Sequence, residues 1–369
     1  MKANLSEQQL AWIKLSTLST ITPRDWLALM DKLAATPTQI LRTSNLGQGV
    51  HHKFADAIHR SSNRLVDSIV RWYQQGNYND VVTYSDPLYP SSLRQLSSPP
   101  LALFVTGKAE VLTQPMIAMV GSRHASQSGL TFAQDLAGQL SKLGLCVVSG
   151  LAMGIDAAAH RGAFDKIGKT IGVIGCGNDV IYPKRNSVLY RDIVDYGGCI
   201  VSEFWPGTPP KAQHFPRRNR IIAGLTCATI VIEAKIKSGT LITANMAADL
   251  GKEVMAVPGH VMNPSHQGCH HLIQQGAALI TDINDVLGAL PYDVQNRFDS
   301  GQKFNQKSGA QNLASESLLD SVDYDVTALD IIAERNGLPA SEVMAGLLQY
   351  ELRGLVSAVP GGYIKLRGK

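Results

Sequence analysis

The sequence is most informative first in what it withholds. Of 369 residues only 17% are charged and the net charge is a mild +4, so overall basicity cannot drive nucleic-acid binding and any such binding needs a local patch. A hydrophobic content of 44% excludes a disordered or fibrous chain. No apolar run is long enough to span a bilayer, and the start MKANLSEQQLAWIK does not read as a signal peptide. The five cysteines, Cys146, Cys176, Cys199, Cys227 and Cys269, form no CxxC pair, and most sit in or beside predicted strands. They are expected to be reduced core residues of a cytoplasmic protein. A Walker A motif is missing, as is a GxGxxG after the first strand of the central region, which disfavours ATP hydrolysis and ordinary dinucleotide binding. There is no GxSxG elbow and no carboxylate cluster suited to two-metal chemistry, so no catalytic set is expected.

What is present suggests two or three domains. Residues 1–75 show helical spacing in Leu10, Ile13, Leu18, then Trp26, Met30, Leu33, and again Leu65, Ile69, Trp72. Thr22-Pro23 reads as an N-cap followed by proline at the first helical position. A turn-rich stretch from Tyr84 to Pro100 leads into an apolar strand, Leu101–Val105. From Met116 onward, near-continuous apolar strands alternate with amphipathic helices. That pattern predicts an α/β, doubly wound, mostly parallel sheet of Rossmann-like type, with ligands at the carboxyl ends of the strands. This domain is placed at 80–290. A polar, aliphatic-poor linker is expected over 291–316. Beyond it, two helices around Asn336-Gly337-Leu338-Pro339 and a hairpin at Pro360-Gly361-Gly362 predict a winged helix over 317–369. Its acids outnumber its bases, which favours contact with protein over DNA.

The densest cluster of candidate residues is Phe215-Pro216-Arg217-Arg218-Asn219-Arg220. Its arginines are expected to stay exposed, and because they open a helix whose positive end repels cations, an anion is expected beside them. Glycine and small polar residues fill the loops after the strands: Gly121, Ser122 and Arg123; Gly150; Ser238, Gly239 and Thr240. Such loops turn backbone N–H groups toward phosphate. By topology Arg123, Lys184, Lys211 and the arginine cluster come to the same rim, with Phe215 available to stack on a base. This arrangement predicts a single-stranded nucleic-acid site. Two sharper readings are set aside. Asp156 and His160, four apart on one helix, read as a helix-start acid and a hydrogen-bonded imidazole. The run His260, His266, Cys269, His270, His271 lacks a second ligand pair at zinc spacing, so no metal is expected.

Together, Val120-Gly121-Ser122-Arg123, Ser149–His160, Tyr182-Pro183, Phe215–Gly224, Glu233-Ala234 with Ser238–Ala244, and Ala256–Gly259 resemble, in order, the DNA-processing protein A (DprA/Smf) family. The resemblance covers about 120–280, and the flanking modules match longer members. It implies an extended Rossmann domain preceded by a small SAM-like or helix-hairpin-helix-like module over 1–75. The implied function is a non-enzymatic, single-stranded DNA-binding recombination mediator of natural transformation. Such a protein protects incoming strands and helps load RecA over single-strand binding protein, as a cytoplasmic homodimer through the Rossmann domain, with no cofactor. Carried over by motif, Arg123 is the pocket arginine, Phe215 the aromatic beside an inserted base, and Lys184 the lysine of the Tyr-Pro-Lys motif. Where the family has a pocket lysine three residues before the Phe, this chain has Ala212, with Lys211 one place earlier. The alternative is a nucleotide-binding enzyme or sensor related to the phosphoribohydrolases, which use a similar Gly-Thr turn preceded by a doubled glycine that is absent before Ser238.

Overall fold

The computed structural model describes residues 4–42, 52–292, 294–295 and 317–366. Most of the linker expected over 291–316 lies outside these residues. The chain divides into two compact units, one formed by Met1–Ala125 and Phe132–Phe298 and a smaller one that contains Asp299–Lys369.

The amino-terminal part of the larger unit is helical, as its periodicity predicts. Its helices are α1 (Glu7–Thr17), α2 (Pro23–Leu33), α3 (Pro37–Arg42), α4 (His52–His59) and α5 (Arg64–Gln75). Thr22 caps α2 as expected: its hydroxyl accepts the Asp25 N–H at 3.1 Å, and Pro23 takes the first helical position. Trp12, Leu15, Trp26, Met30, Ile40 and Phe54 bury one another in a shared core. A second cluster joins Ile13, Ile69 and Trp72 to Val81, Ala102 and Phe104, so these helices pack directly on the sheet.

The sheet itself is built from β1 (Asn79–Thr83), β2 (Ala102–Gly107), β3 (Met116–Val120), β4 (Cys146–Ser149), β5 (Thr170–Ile174), β6 (Cys199–Ser202), β7 (Ala228–Val231), β8 (Glu253–Ala256) and β9 (Ala278–Leu279). Among the described residues these form one sheet in the order β1-β2-β6-β5-β4-β3-β7-β8-β9. Strands β3 to β9 run parallel, and β1 and β2 join antiparallel at the β6 edge. The apolar strand expected at 101–105 is thus β2. Its partner β1 has no counterpart in the sequence reading, because Asn79 and Asp80 mask the short Val81-Val82 core pair.

Between the strands lie α6 (Gln127–Lys142), α7 (Ile155–Ala163), α8 (Ser187–Asp195), α9 (His214–Leu225), α10 (Gly239–Asp249), α11 (Gln267–Gln274) and α12 (Ile283–Ala289). The strand order turns back at β3: the chain lays β4, β5 and β6 on one side, then crosses through α9 to lay β7, β8 and β9 on the other. This is the switch point at which doubly wound folds bind ligands.

Four of the five cysteines are buried, Cys227 is half-buried, and none is bonded to another. Burial pushes the thiols of Cys146, Cys176 and Cys269 up, to about 11 for Cys176 and about 12 for Cys269, as befits unreactive core residues.

In the smaller unit a short helix, Ser317–Asp320, precedes helices Leu329–Asn336 and Ala340–Leu352. Gly337, at φ 64°, ends the first of the two longer helices in the left-handed conformation. Strands β10 (Val356–Val359) and β11 (Gly362–Lys365) form the antiparallel wing.

Candidate functional site

All the parallel strands end at one edge of the sheet, and their loops surround a groove of about 790 Å³. Gly121, Ser122, Arg123 and His124 enter it from the loop after β3, and Ala152 from the loop after β4. Ser238, Gly239, Thr240 and the two lysines Lys235 and Lys237 come from the turn before α10, and Phe215, Arg218 and Asn219 from α9. A smaller hollow of about 50 Å³ opens beside it, between Gly150, Met153, Gly175, Tyr182, Phe215 and the arginines Arg123 and Arg218.

The aromatic wall of this hollow is composite. The Phe215 and Tyr182 rings lie 5.8 Å apart at 40°, and the exposed Arg123 guanidinium sits 5.8 Å from the Phe215 centroid. A cation, a half-buried ring and glycine-rich backbone therefore share one opening. That combination can hold a phosphate by charge and backbone N–H and a base by its face.

The glycines set this geometry. Gly154, at φ 77°, would place a Cβ 2.2 Å from the Ser122 carbonyl, so only glycine lets the loop before α7 pass the Arg123 loop. The Ile155 N–H then donates to Ser122 O at 3.1 Å, tying the two loops together. Thr240 donates its hydroxyl to Gly121 O at 3.1 Å, which fixes the start of α10 against the same loop.

The arginine cluster is divided, and here the expectation of exposure fails. Arg218 is buried, donating to the carbonyls of Gly150 and Val173 and to Asn219 Oδ1. The guanidinium and the buried Asp156 each favour the other's charged form; even so, burial raises the Asp156 carboxyl and lowers Arg218. Asp156 in turn accepts the N–H groups of Gly150 at 3.1 Å and Ala152 at 3.3 Å, so it shapes the loop after β4. Arg217 and Arg220 both turn to Glu203, the first through Nε at 3.0 Å. The anion expected beside this helix start is thus supplied in part by the chain itself. Arg220 also donates to Ser98 O at 2.8 Å.

Of the other expected residues, Gly121, Ser122, Arg123, Gly150, Phe215, Asn219, Ser238, Gly239 and Thr240 line the groove or its hollow. Lys184 and Lys211 are exposed and line neither, whereas Ala212 does line the groove. The groove wall at that position therefore carries a methyl group and no charge. Tyr182, His124, Lys235 and Lys237 were not among the expected site residues. The Lys-x-Lys spacing just before Ser238-Gly239-Thr240 is the signal that could have added the last two.

Asp156 and His160 serve the interior. His160 is fully buried with Nδ1 2.7 Å from Thr170 Oγ1, and burial together with the charges of Arg218 and Arg161 lowers its pKa to about 3. The His270 ring lies against the Gly259 backbone, with Nε2 3.0 Å from its carbonyl oxygen. Among the described residues no helix is long and apolar enough to cross a membrane.

A family model described as DNA recombination-mediator protein A matches residues 80–291, and one described as the DprA winged helix domain matches 305–362. Protein Smf of Escherichia coli is 36% identical over 364 residues, covering 96% of this chain and 95% of that protein. The DNA processing protein DprA of Streptococcus pneumoniae is 45% identical over 207 residues, covering 56% of this chain and 73% of that one. Among solved structures, the X-ray structure of DprA from Streptococcus pneumoniae superposes with a TM-score of 0.65 at 34% identity, covering 79% of this chain and 100% of that chain. A Helicobacter pylori DprA structure, described for its single-stranded DNA binding mode, gives 0.52 at 28% identity, covering 57% and 98%.

Proposed function

The chain belongs to the DNA recombination-mediator protein A (DprA/Smf) family, and from that premise we propose that it is a single-stranded DNA-binding mediator that works by binding, without chemistry of its own. The observation that carries this reading is the groove at the switch point, where Arg123, Phe215 and Tyr182 face glycine-rich backbone. A single strand exposes base faces that a duplex hides, so stacking on Phe215 discriminates between them while phosphate contacts supply affinity. Arg123 and the N–H groups around Ser122 and Gly239 are assigned to phosphate, with Lys235 and Lys237 at the rim. Arg218, Asn219 and Asp156 are assigned to holding the loops in place.

In the same proposal the protein shields incoming single strands during natural transformation and hands them to RecA in competition with single-strand binding protein. It does so in the cytoplasm as a homodimer through the sheet domain. The family membership supports these roles, and the Helicobacter pylori relative's described DNA binding mode supports the ligand.

The test is fluorescence anisotropy of labelled oligo-dT and of the matching duplex across a salt series, with Arg123→Ala alongside. Single-strand binding that strengthens at low salt is expected. The slope of log affinity against log salt should be shallower in the variant by about 0.7 for each phosphate that the protein no longer neutralises. Equal affinity for both DNAs would displace the reading in favour of a small-nucleotide ligand, and an unchanged slope would remove Arg123 from the site.

A further inference from the structure

The winged-helix unit carries a surface that the DNA groove leaves unused. Helix Ala340–Leu352 buries Val343 and Leu347 in a core with Leu319, Val322, Ile332 and Val356. On another face of the same helix Met344, Leu348 and Leu352 stand in solvent, 51%, 58% and 82% exposed. Their i, i+4, i+8 spacing aligns them in one row. In a winged helix this is the element that would enter a DNA groove. Here it contains no Lys or Arg and carries Glu342 and Glu351. Such a helix repels phosphate, while a contiguous row of exposed aliphatics marks a contact with another protein.

The charge of the unit specifies that protein's chemistry. Of the described bases in this unit, Arg335 is paired with Asp323 at 2.8 Å, Lys365 with Asp320 at 3.1 Å, and Arg353 lies 5.8 Å from the Tyr350 ring. Exposed Asp330, Glu334 and Glu342 have no ion-pair partner among the described residues. We propose that the Met344–Leu348–Leu352 row docks an amphipathic helix of a partner protein, one whose apolar face is flanked by Lys or Arg. A second copy of this chain is the wrong occupant, because it would bring together two helices that carry acids and no Lys or Arg. This inference stands apart from the groove: oligo-dT binding belongs to a different set of residues.

The full chain is titrated with a short labelled model peptide of Leu and Lys patterned as an amphipathic helix, with the Leu/Glu counterpart as control. The M344S/L348S/L352S variant changes only exposed positions, and circular dichroism and oligo-dT binding should match the parent. The Leu/Lys peptide is expected to bind the parent and to lose about tenfold or more in affinity for the variant, while the Leu/Glu peptide fails to bind. A second variant, E334K/E342K, keeps the aliphatic row and should weaken the Leu/Lys peptide while admitting the Leu/Glu one. Equal binding to parent and triple variant, or no difference between the peptides, overturns the proposal. So does loss of a dimer in the triple variant by light scattering, which would make a second copy the occupant. Duplex DNA binding that falls with the row would make nucleic acid the occupant and has the same effect.

Discussion

Replacing Arg218 with methionine separates a structural arginine from a DNA-contacting one. Methionine roughly keeps the length and apolar stem of the side chain. It leaves the Gly150 and Val173 carbonyls without this donor and Asp156 without its counter-charge, in a site where Arg218 is only 6% exposed. Leaving two buried carbonyls without their donor and a buried carboxylate without its offsetting charge costs about 3–5 kcal/mol. Domains are stable by only about 5–15 kcal/mol, so the loss is a large share of the whole. At roughly 2–4 °C per kcal/mol for a unit of this size, the melting temperature should fall by about 6–20 °C. The assay is a pair of thermal melts, Arg218→Met beside Arg123→Ala, with oligo-dT affinity measured below the lower transition. Arg123 is exposed, so its variant should melt with the parent and lose affinity. If Arg218→Met melts with the parent and loses only affinity, the buried guanidinium is acting as a ligand contact and the structural assignment is wrong.

Three further outcomes are expected. Phe215→Ala should weaken oligo-dT binding by roughly 5- to 150-fold, the equivalent of about 1–3 kcal/mol of stacking; an unchanged affinity would remove Phe215 from the site. Gly154→Ala forces a Cβ toward the Ser122 carbonyl at a strained φ costing about 1–3 kcal/mol, and should reduce both melting temperature and DNA affinity because the Arg123 loop must shift. A variant that binds and melts like the parent would refute that coupling. His160 stays neutral in the fold down to about pH 3, whereas the unfolded chain protonates it near 6.5. Between those values the unfolded state holds more protons, so its contribution is intact above pH 6.5 and declines by up to about 1.4 kcal/mol per unit as the pH falls. From pH 7.5 to 5 the loss is about 2 kcal/mol. Urea unfolding at both pH values should show this decline in the parent and its absence in His160→Gln; parallel behaviour of the two would rule His160 out as the source.

The elements that were legible in the sequence announce themselves locally. Thr22-Pro23 carries its own capping chemistry, and runs such as Met116–Val120 bury every residue, so alternation is unnecessary. The edge pair β1 and β2 was only half legible, since antiparallel pairing to β6 is a long-range choice that no local pattern states. In the site, the glycine loops and Arg123 were legible because a parallel sheet sends every strand end to one edge. The arginine cluster was misread by composition. Arg218 stands three, four and seven residues before buried Ile221, Ile222 and Leu225, but Asn219, Ala223 and Gly224 are buried as well and exposed Arg217 stands four before Ile221, so phase alone does not separate the two arginines. Glu203, one residue past β6, was invisible as their partner because the contact depends on how the loop before α9 returns.

That return has a mechanical meaning. Helix α9 is the covalent strap between the two halves of the sheet, and its first turns also present Phe215 to the groove and anchor Arg218 beneath it. A DNA strand seated there, as proposed, would touch lining from the loops after β3, β4 and β5 and from the turn before α10. Occupancy would then work as a clasp. Amide hydrogen exchange in β4 and β5 and in β7 and β8 should slow together when DNA is added, because opening either half requires letting go of the same strand.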